Sequence, residues 1–145
     1  MLELTGDDLT IFSTFEKISQ VMPSDYLTND DLMIFLVPLN LLGKAIGKQG
    51  TNIEKLRSTF RKRIVVVPDS QDLELFIRGF FSNIQIHDIE IRNVMGEQEV
   101  MLTVEEKDRG LAIGRNGERV KTAKIFLKKK FNANVHIKTK RTTIS

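Results

Sequence analysis

The chain has 145 residues, 22 Lys+Arg against 19 Asp+Glu for a formal net charge of +3, 41% hydrophobic residues and no cysteine. That composition excludes wholesale disorder, a disulfide framework, a thiolate metal site and a cysteine nucleophile, and two histidines, His87 and His136, leave little for a His-based metal centre or triad. The longest apolar run, Leu32 to Leu39, is far short of the roughly 20 residues of a membrane helix; Glu3, Asp7 and Asp8 put acid where a targeting peptide carries base, so a soluble, cytoplasmic protein is expected.

In chain order, Leu9, Phe12, Phe15 and Ile18 fall near helical spacing and predict a helix from Asp7 to about Ser19, with Thr5 to Asp8 as its start signal. Tyr26 to Thr28 predicts a short strand pairing with a buried one at Leu32–Val37. Thr51 to Arg61 is read as a helix with Ile53, Leu56 and Phe60 inward. Arg63–Val67 is read as a strand stopped by Pro68. A helix over Asp72–Phe81 places Leu73, Phe76, Ile77 and Phe80 inside. Ile84, Ile86, Ile89 and Ile91 predict a strand whose phase changes between Ile86 and Ile89, the mark of a bulge. Met95-Gly96-Glu97 turns the chain, Glu99–Val104 returns it, Glu118–Phe131 is the long helix and Val135–Ile137 the last strand. Residues 142–145 read as a frayed tail. Phe12, Phe15, Phe60, Phe76, Phe80, Phe126 and Phe131 sit at core spacings, not as a stacking platform, and His136 points away from the face of Val135 and Ile137.

The order α-β-β-α-α-β occurs twice, and so does a motif. Gly43-Lys-Ala-Ile-Gly-Lys-Gln-Gly-Thr-Asn-Ile53 matches Gly110-Leu-Ala-Ile-Gly-Arg-Asn-Gly-Glu-Arg-Val120 at an offset of 67, so a duplicated unit is the economical account. Charge follows the same period: residues 1–40 carry net −6, 41–70 net +5, 71–107 net −5 and 108–145 net +9. Each half thus has a basic second part able to face a polyanion. Two domains are expected, 1–70 and 71–145.

The shared core is Ile-Gly-basic-polar-Gly before a helix start. Two glycines three apart allow a tight turn with no Cβ between backbone and ligand, and the positive end of the following helix favours a phosphate. Glycines also cap helices, and one copy would not separate a cap from a phosphate site; two copies, each with a base between the glycines, favour phosphate contact. A nucleotide P-loop needs four residues between its glycines and Ser or Thr after its lysine, and a dinucleotide fingerprint needs Gly-x-Gly at a strand end; neither is present. The candidate contacts are Lys44, Gly47, Lys48, Gln49 and Gly50 with Gly114, Arg115, Asn116 and Gly117. Ile46, Ile53, Ile113 and Val120 would line apolar grooves for the bases, and Arg119 and Lys121 are second-tier contacts. Arg115, Arg119 and, further on, Lys121, Lys124 and Lys128 spread over more than one face, so only some can meet the same strand and the others read as solvated surface. Lys138, Lys140 and Arg141 either extend the basic surface or have no specific role. No paired carboxylates demand acid–base chemistry, and no catalytic residue, metal or cofactor is expected.

These residues resemble the KH domain, whose Gly-x-x-Gly loop clamps single-stranded RNA. The element order is similar to the type II arrangement. The tandem spacing, Leu111-Ala-Ile-Gly-Arg-Asn-Gly117, the leading helix with Phe12 and Phe15, and Lys62-Arg-Ile-Val-Val-Val67 resemble the archaeal NusA-like transcription factors over residues 5 to 140 or so. The resemblance implies an α+β fold of two tandem type II KH domains, with three-stranded sheets and helices on one face. It also implies a monomeric, non-enzymatic protein that binds single-stranded RNA through two rigidly joined modules in transcription elongation, termination or antitermination. RNA polymerase and other transcription factors are the protein partners it suggests. The competing readings are a ribosome-associated or RNA-processing KH protein, and a protein-interaction scaffold with vestigial loops.

Overall fold

In the computed structural model, which describes residues 6–29 and 31–140, the first helix, α1 (Gly6–Ser19), opens with Asp7 and Asp8 and carries Lys17 in its last turn. Acid at the start and base at the end both suit the helix dipole. β1 (Asp25–Thr28) and β2 (Leu32–Pro38) pair antiparallel, Tyr26 opposite Phe35. β3 (Arg63–Asp69) lies parallel to β2 on its other side, Val66 opposite Phe35. A parallel neighbour demands a crossover, which α2 (Leu42–Ile46) and α3 (Thr51–Phe60) supply. Every residue of β2 from Leu32 to Val37 is buried, the continuous apolar pattern of a central strand. Met33, Phe35 and Val37 meet Phe15 of α1, Ala45 of α2 and Leu56 of α3. Pro68 does not stop β3: it pairs with Val37 and the strand runs to Asp69. β3 is an edge strand, where a residue lacking an N–H is tolerated.

Residues Met1–Ser70 form one unit and Gln71–Ser145 a second. In the second, α4 (Leu73–Phe80) is capped by the Asp72 carboxylate, which accepts from the Leu75 N–H at 2.9 Å, and buries Leu73, Phe76, Ile77 and Phe80. β4 (Ile86–Val94) and β5 (Glu97–Glu105) form a hairpin through Met95-Gly96, both at positive φ (53° and 85°), which matches the twist of the strands. The register shifts between Ile86 and Asp88, the bulge expected from the isoleucine phase. Ile84 precedes the strand instead of joining it, its N–H donating to the Phe81 carbonyl at 3.2 Å. α5 (Arg109–Ile113) and α6 (Glu118–Phe131) lead to β6 (Ala133–Lys140), parallel to β5. Both sheets have the central strand second in sequence, β1-β2-β3 and β4-β5-β6, and both units run α-β-β-α-α-β. Val100, Leu102 and Val104 are buried with Phe76, Phe80 and Phe126, whose rings lie 6.1–6.4 Å apart. Phe15 is buried like these three, whereas Phe12, Phe60 and Phe131 are half-buried. Among the described residues no helix is long and apolar enough to cross a membrane. The expected frayed tail lies outside the described residues.

Candidate nucleic-acid interface

Each candidate loop joins a five-residue helix to a longer one. In the first unit α2 ends as the Gly47 N–H donates to the Gly43 carbonyl at 3.0 Å, and the Gly50 N–H closes the next turn on the Gly47 carbonyl at 3.1 Å. In the second, Gly114 and Gly117 repeat these bonds at 2.9 and 3.1 Å to Gly110 and Gly114. The dihedrals coincide closely. Gly47 and Gly114 both have φ 82°, with ψ 165° and 171°; Gln49 and Asn116 have φ 55° and 56°; Gly50 and Gly117 both have φ 75°, with ψ 17° and 12°.

The two glycines of a loop are required for different reasons. Gly47 and Gly114 occupy a region of φ/ψ that is essentially glycine-only, and they are also crowded. A Cβ on Gly47 would stand 2.8–2.9 Å from Asn52, and one on Gly114 would stand 2.7–2.8 Å from Arg119. Gly50 and Gly117 are left-handed but open: nothing lies within 4 Å of a Cβ on Gly50, and only the Lys121 Cε, at 3.5 Å, approaches one on Gly117. The first glycine therefore lets the loop pack, and the second leaves its backbone bare.

Around that bend Lys44, Lys48, Gln49, Arg115, Asn116 and Lys121 are exposed, while Ile46, Ile53, Ile113 and Val120 are half-buried. α2 packs on α3 and α5 on α6, so the isoleucine ending each short helix and the apolar residue in the first turn of the next flank one loop. Gly50 and Gly117 are the N-caps of α3 and α6, and neither helix start has a side-chain cap. The positive helix end, the bare turn and a basic side chain thus coincide in both units, a combination suited to an anionic backbone. Among the described residues no group of three or more His, Cys, Asp or Glu is placed to hold a metal.

Arg119 departs from its expected place. Its Nη2 donates to the Phe80 carbonyl at 2.7 Å, its Cζ lies 5.2 Å from the centre of the Phe80 ring, and its Nε is buried without a hydrogen-bond partner. Burial pushes its pKa below the usual arginine value, against a smaller opposing effect of Glu118. The side chain braces α6 on the end of α4 instead of presenting to a strand. Asn52, the residue equivalent to Arg119 at the offset of 67, was not singled out by charge; its Nδ2 donates to the Lys44 carbonyl at 3.1 Å and ties α3 to α2 across the loop. The repeat itself was the available signal, because both residues stand two positions after the second glycine.

Profiles of the KH domain match residues 32–93 and residues 74–143. The first match crosses the division between the units, and the second lies within the latter unit. Among curated proteins the chain is similar to one named probable transcription termination protein NusA from Methanocaldococcus jannaschii, 30% identical over 128 residues covering 88% of this chain and 70% of that one. Proteins of the same name from Halococcus morrhuae and Thermoplasma acidophilum are 29% and 27% identical, covering 89% and 92% of this chain and 92% and 94% of theirs. Among solved structures, the crystal structure of APE1850 matches with a TM-score of 0.76 and 33% identity over 94% of this chain and 99% of that one.

Proposed function

The chain belongs to the archaeal NusA-like family of tandem KH-domain proteins, and from that premise we propose that it binds single-stranded RNA through both Gly-x-x-Gly loops and acts on transcribing complexes in elongation, termination or antitermination. The observation that carries the reading is the agreement of the two loops in backbone with a different residue pair in each. Lys48-Gln49 and Arg115-Asn116 share dihedrals but not identity. What is held in common is a glycine-flanked bend carrying one basic side chain at the positive end of a helix. That constellation grips a sugar-phosphate backbone and reads no base edge. The phosphates rest against Gly47–Gly50 and Gly114–Gly117, with Lys48 and Arg115 supplying charge, and the bases turn toward Ile46 and Ile53 or Ile113 and Val120. Lys44 and Lys121 add charge on either side. About four nucleotides occupy each loop. Domains 1–70 and 71–145 each contribute one site.

The test substitutes the second glycine of each loop, where there is room. Gly50→Asp and Gly117→Asp put a carboxylate on the bare turn and, at Gly117, next to Lys121. The double variant is expected to keep its far-ultraviolet circular dichroism and lose RNA binding; unchanged affinity would overturn the reading. Crosslinking in cells tests the setting: nascent transcripts support a role in transcription, whereas mature ribosomal RNA points to the ribosome-associated alternative.

A further inference from the structure

α3 has 10 residues and α6 has 14, so the second unit's long helix continues for one more turn, Lys128 to Phe131. Lys121, Lys124 and Lys128 recur at i, i+3 and i+7, one stripe of a helix with a pitch of about 5.4 Å. All three are exposed. The stripe starts at the loop, since the Lys121 Cε lies 3.5 Å from where a Cβ of Gly117 would be. It ends in an open groove of about 460 Å³ at the starts of β5 and β6. Lys124, Ile125, Lys128, Lys129 and Ala133 line this groove together with Glu97. Ile125 is 53% exposed and gives the groove an apolar patch among the lysines, a combination that suits a base with its phosphate. Lys128, itself exposed, pairs with the half-buried Glu97 at 3.5 Å, a contact at the surface that a phosphate can displace.

The first unit lacks this stripe. At the offset of 67, Lys121 corresponds to Glu54, Lys124 to Arg57 and Ile125 to Ser58, and the Glu54 carboxylate pairs with the Arg57 guanidinium. The helix ends before the equivalent of Lys128, Arg61, which is its left-handed C-cap.

We infer that single-stranded RNA held at the second loop continues along α6 over Lys121, Lys124 and Lys128 into this groove, so that the second unit has a longer footprint than the first. The inference rests on the loops being the RNA clamps, and the experiment separates the two. In the full chain carrying Gly50→Asp, so that only the second loop reports, binding of oligouridylates of four and eight nucleotides is measured across salt concentrations. Lys124→Gln with Lys128→Gln is expected to weaken the eight-mer on the order of tenfold and to flatten its log–log salt slope by about 1.4, near 0.7 per lost phosphate contact. The four-mer is expected to lose much less. Equal losses for both lengths, or no loss for the eight-mer, would overturn the extended path. Gly117→Asp in the same background is expected to abolish binding of both oligomers. If it does so while the lysine variant binds normally, only the α6 path falls; if it does not, the clamp reading falls as well.

Discussion

Tyr26 shows how one side chain ties a strand to a helix. Its hydroxyl donates to the Asp8 carboxylate at 2.5 Å, and its ring packs on Phe12 and Phe35 at 5.6 and 5.8 Å. Burial first, then the hydrogen bond to Asp8 and the charges of Asp8, Asp7 and Asp25, push its pKa up to about 12 from the ordinary 10. The folded state therefore favours the neutral phenol. Its contribution to stability is fully present below pH 10 and is lost as pH rises through about 12. Tyr26 is the chain's single tyrosine, so phenolate absorbance reports this residue alone. The folded protein should reach half-titration near pH 12, and Tyr26→Phe should flatten the fall in melting temperature between pH 10 and 12. A folded midpoint near 10 would contradict the Asp8 contact.

At the scale of elements, the two loops are alike and their braces are not. Asn52 ties α3 to the neighbouring short helix through one hydrogen bond, whereas Arg119 reaches α4 with a hydrogen bond and a cation–ring contact. Arg119→Ala leaves the Phe80 carbonyl without this donor and should destabilise the second unit by roughly 1–3 kcal/mol in urea unfolding. Asn52→Ala should cost the first unit less, about 1 kcal/mol. Equal effects would mean that the longer brace adds nothing. The helices and the repeat were legible because their signals are local: Glu118–Phe131 starts at a glycine and keeps its apolar spacing to the end, and the isoleucine phase of β4 marked its bulge. Pro68 misled because its effect on a strand depends on whether the strand is central or at an edge, and only the sheet order decides that. Arg119 misled because its charge outweighed its position. It stands four residues before Ala123 and seven before Phe126, on the buried stripe of α6, where a long side chain lies along the core and finds a carbonyl. The exposed loop residues were legible from spacing, while the groove beside α6 depends on where β5 and β6 begin.

For the whole molecule, charge segregation matters more than the net charge of +3. The bases gather at the loops and along the helices after them, so RNA binding should be strongly salt-dependent although the protein as a whole is nearly neutral. If phosphates meet only Lys44, Lys48, Arg115 and Lys121, the slope of log affinity against log salt should be about −2.8; with Lys124 and Lys128 engaged it should be about −4.2. A titration with RNA long enough to fill both loops distinguishes these values. A slope near zero would rule out phosphate contact as the source of affinity.

The wholly buried β2 also has a consequence before the protein is folded. Leu32-Met-Ile-Phe-Leu-Val37 is six consecutive apolar residues, the sort of segment that nucleates aggregates when naked. Its parallel partner Arg63 lies 31 positions later, so on a ribosome the segment waits roughly 2 to 6 s for β3 to emerge. Asp30 and Asp31 precede it and Pro38 follows, a charged and a stiff gatekeeper that guard the nascent chain through that interval.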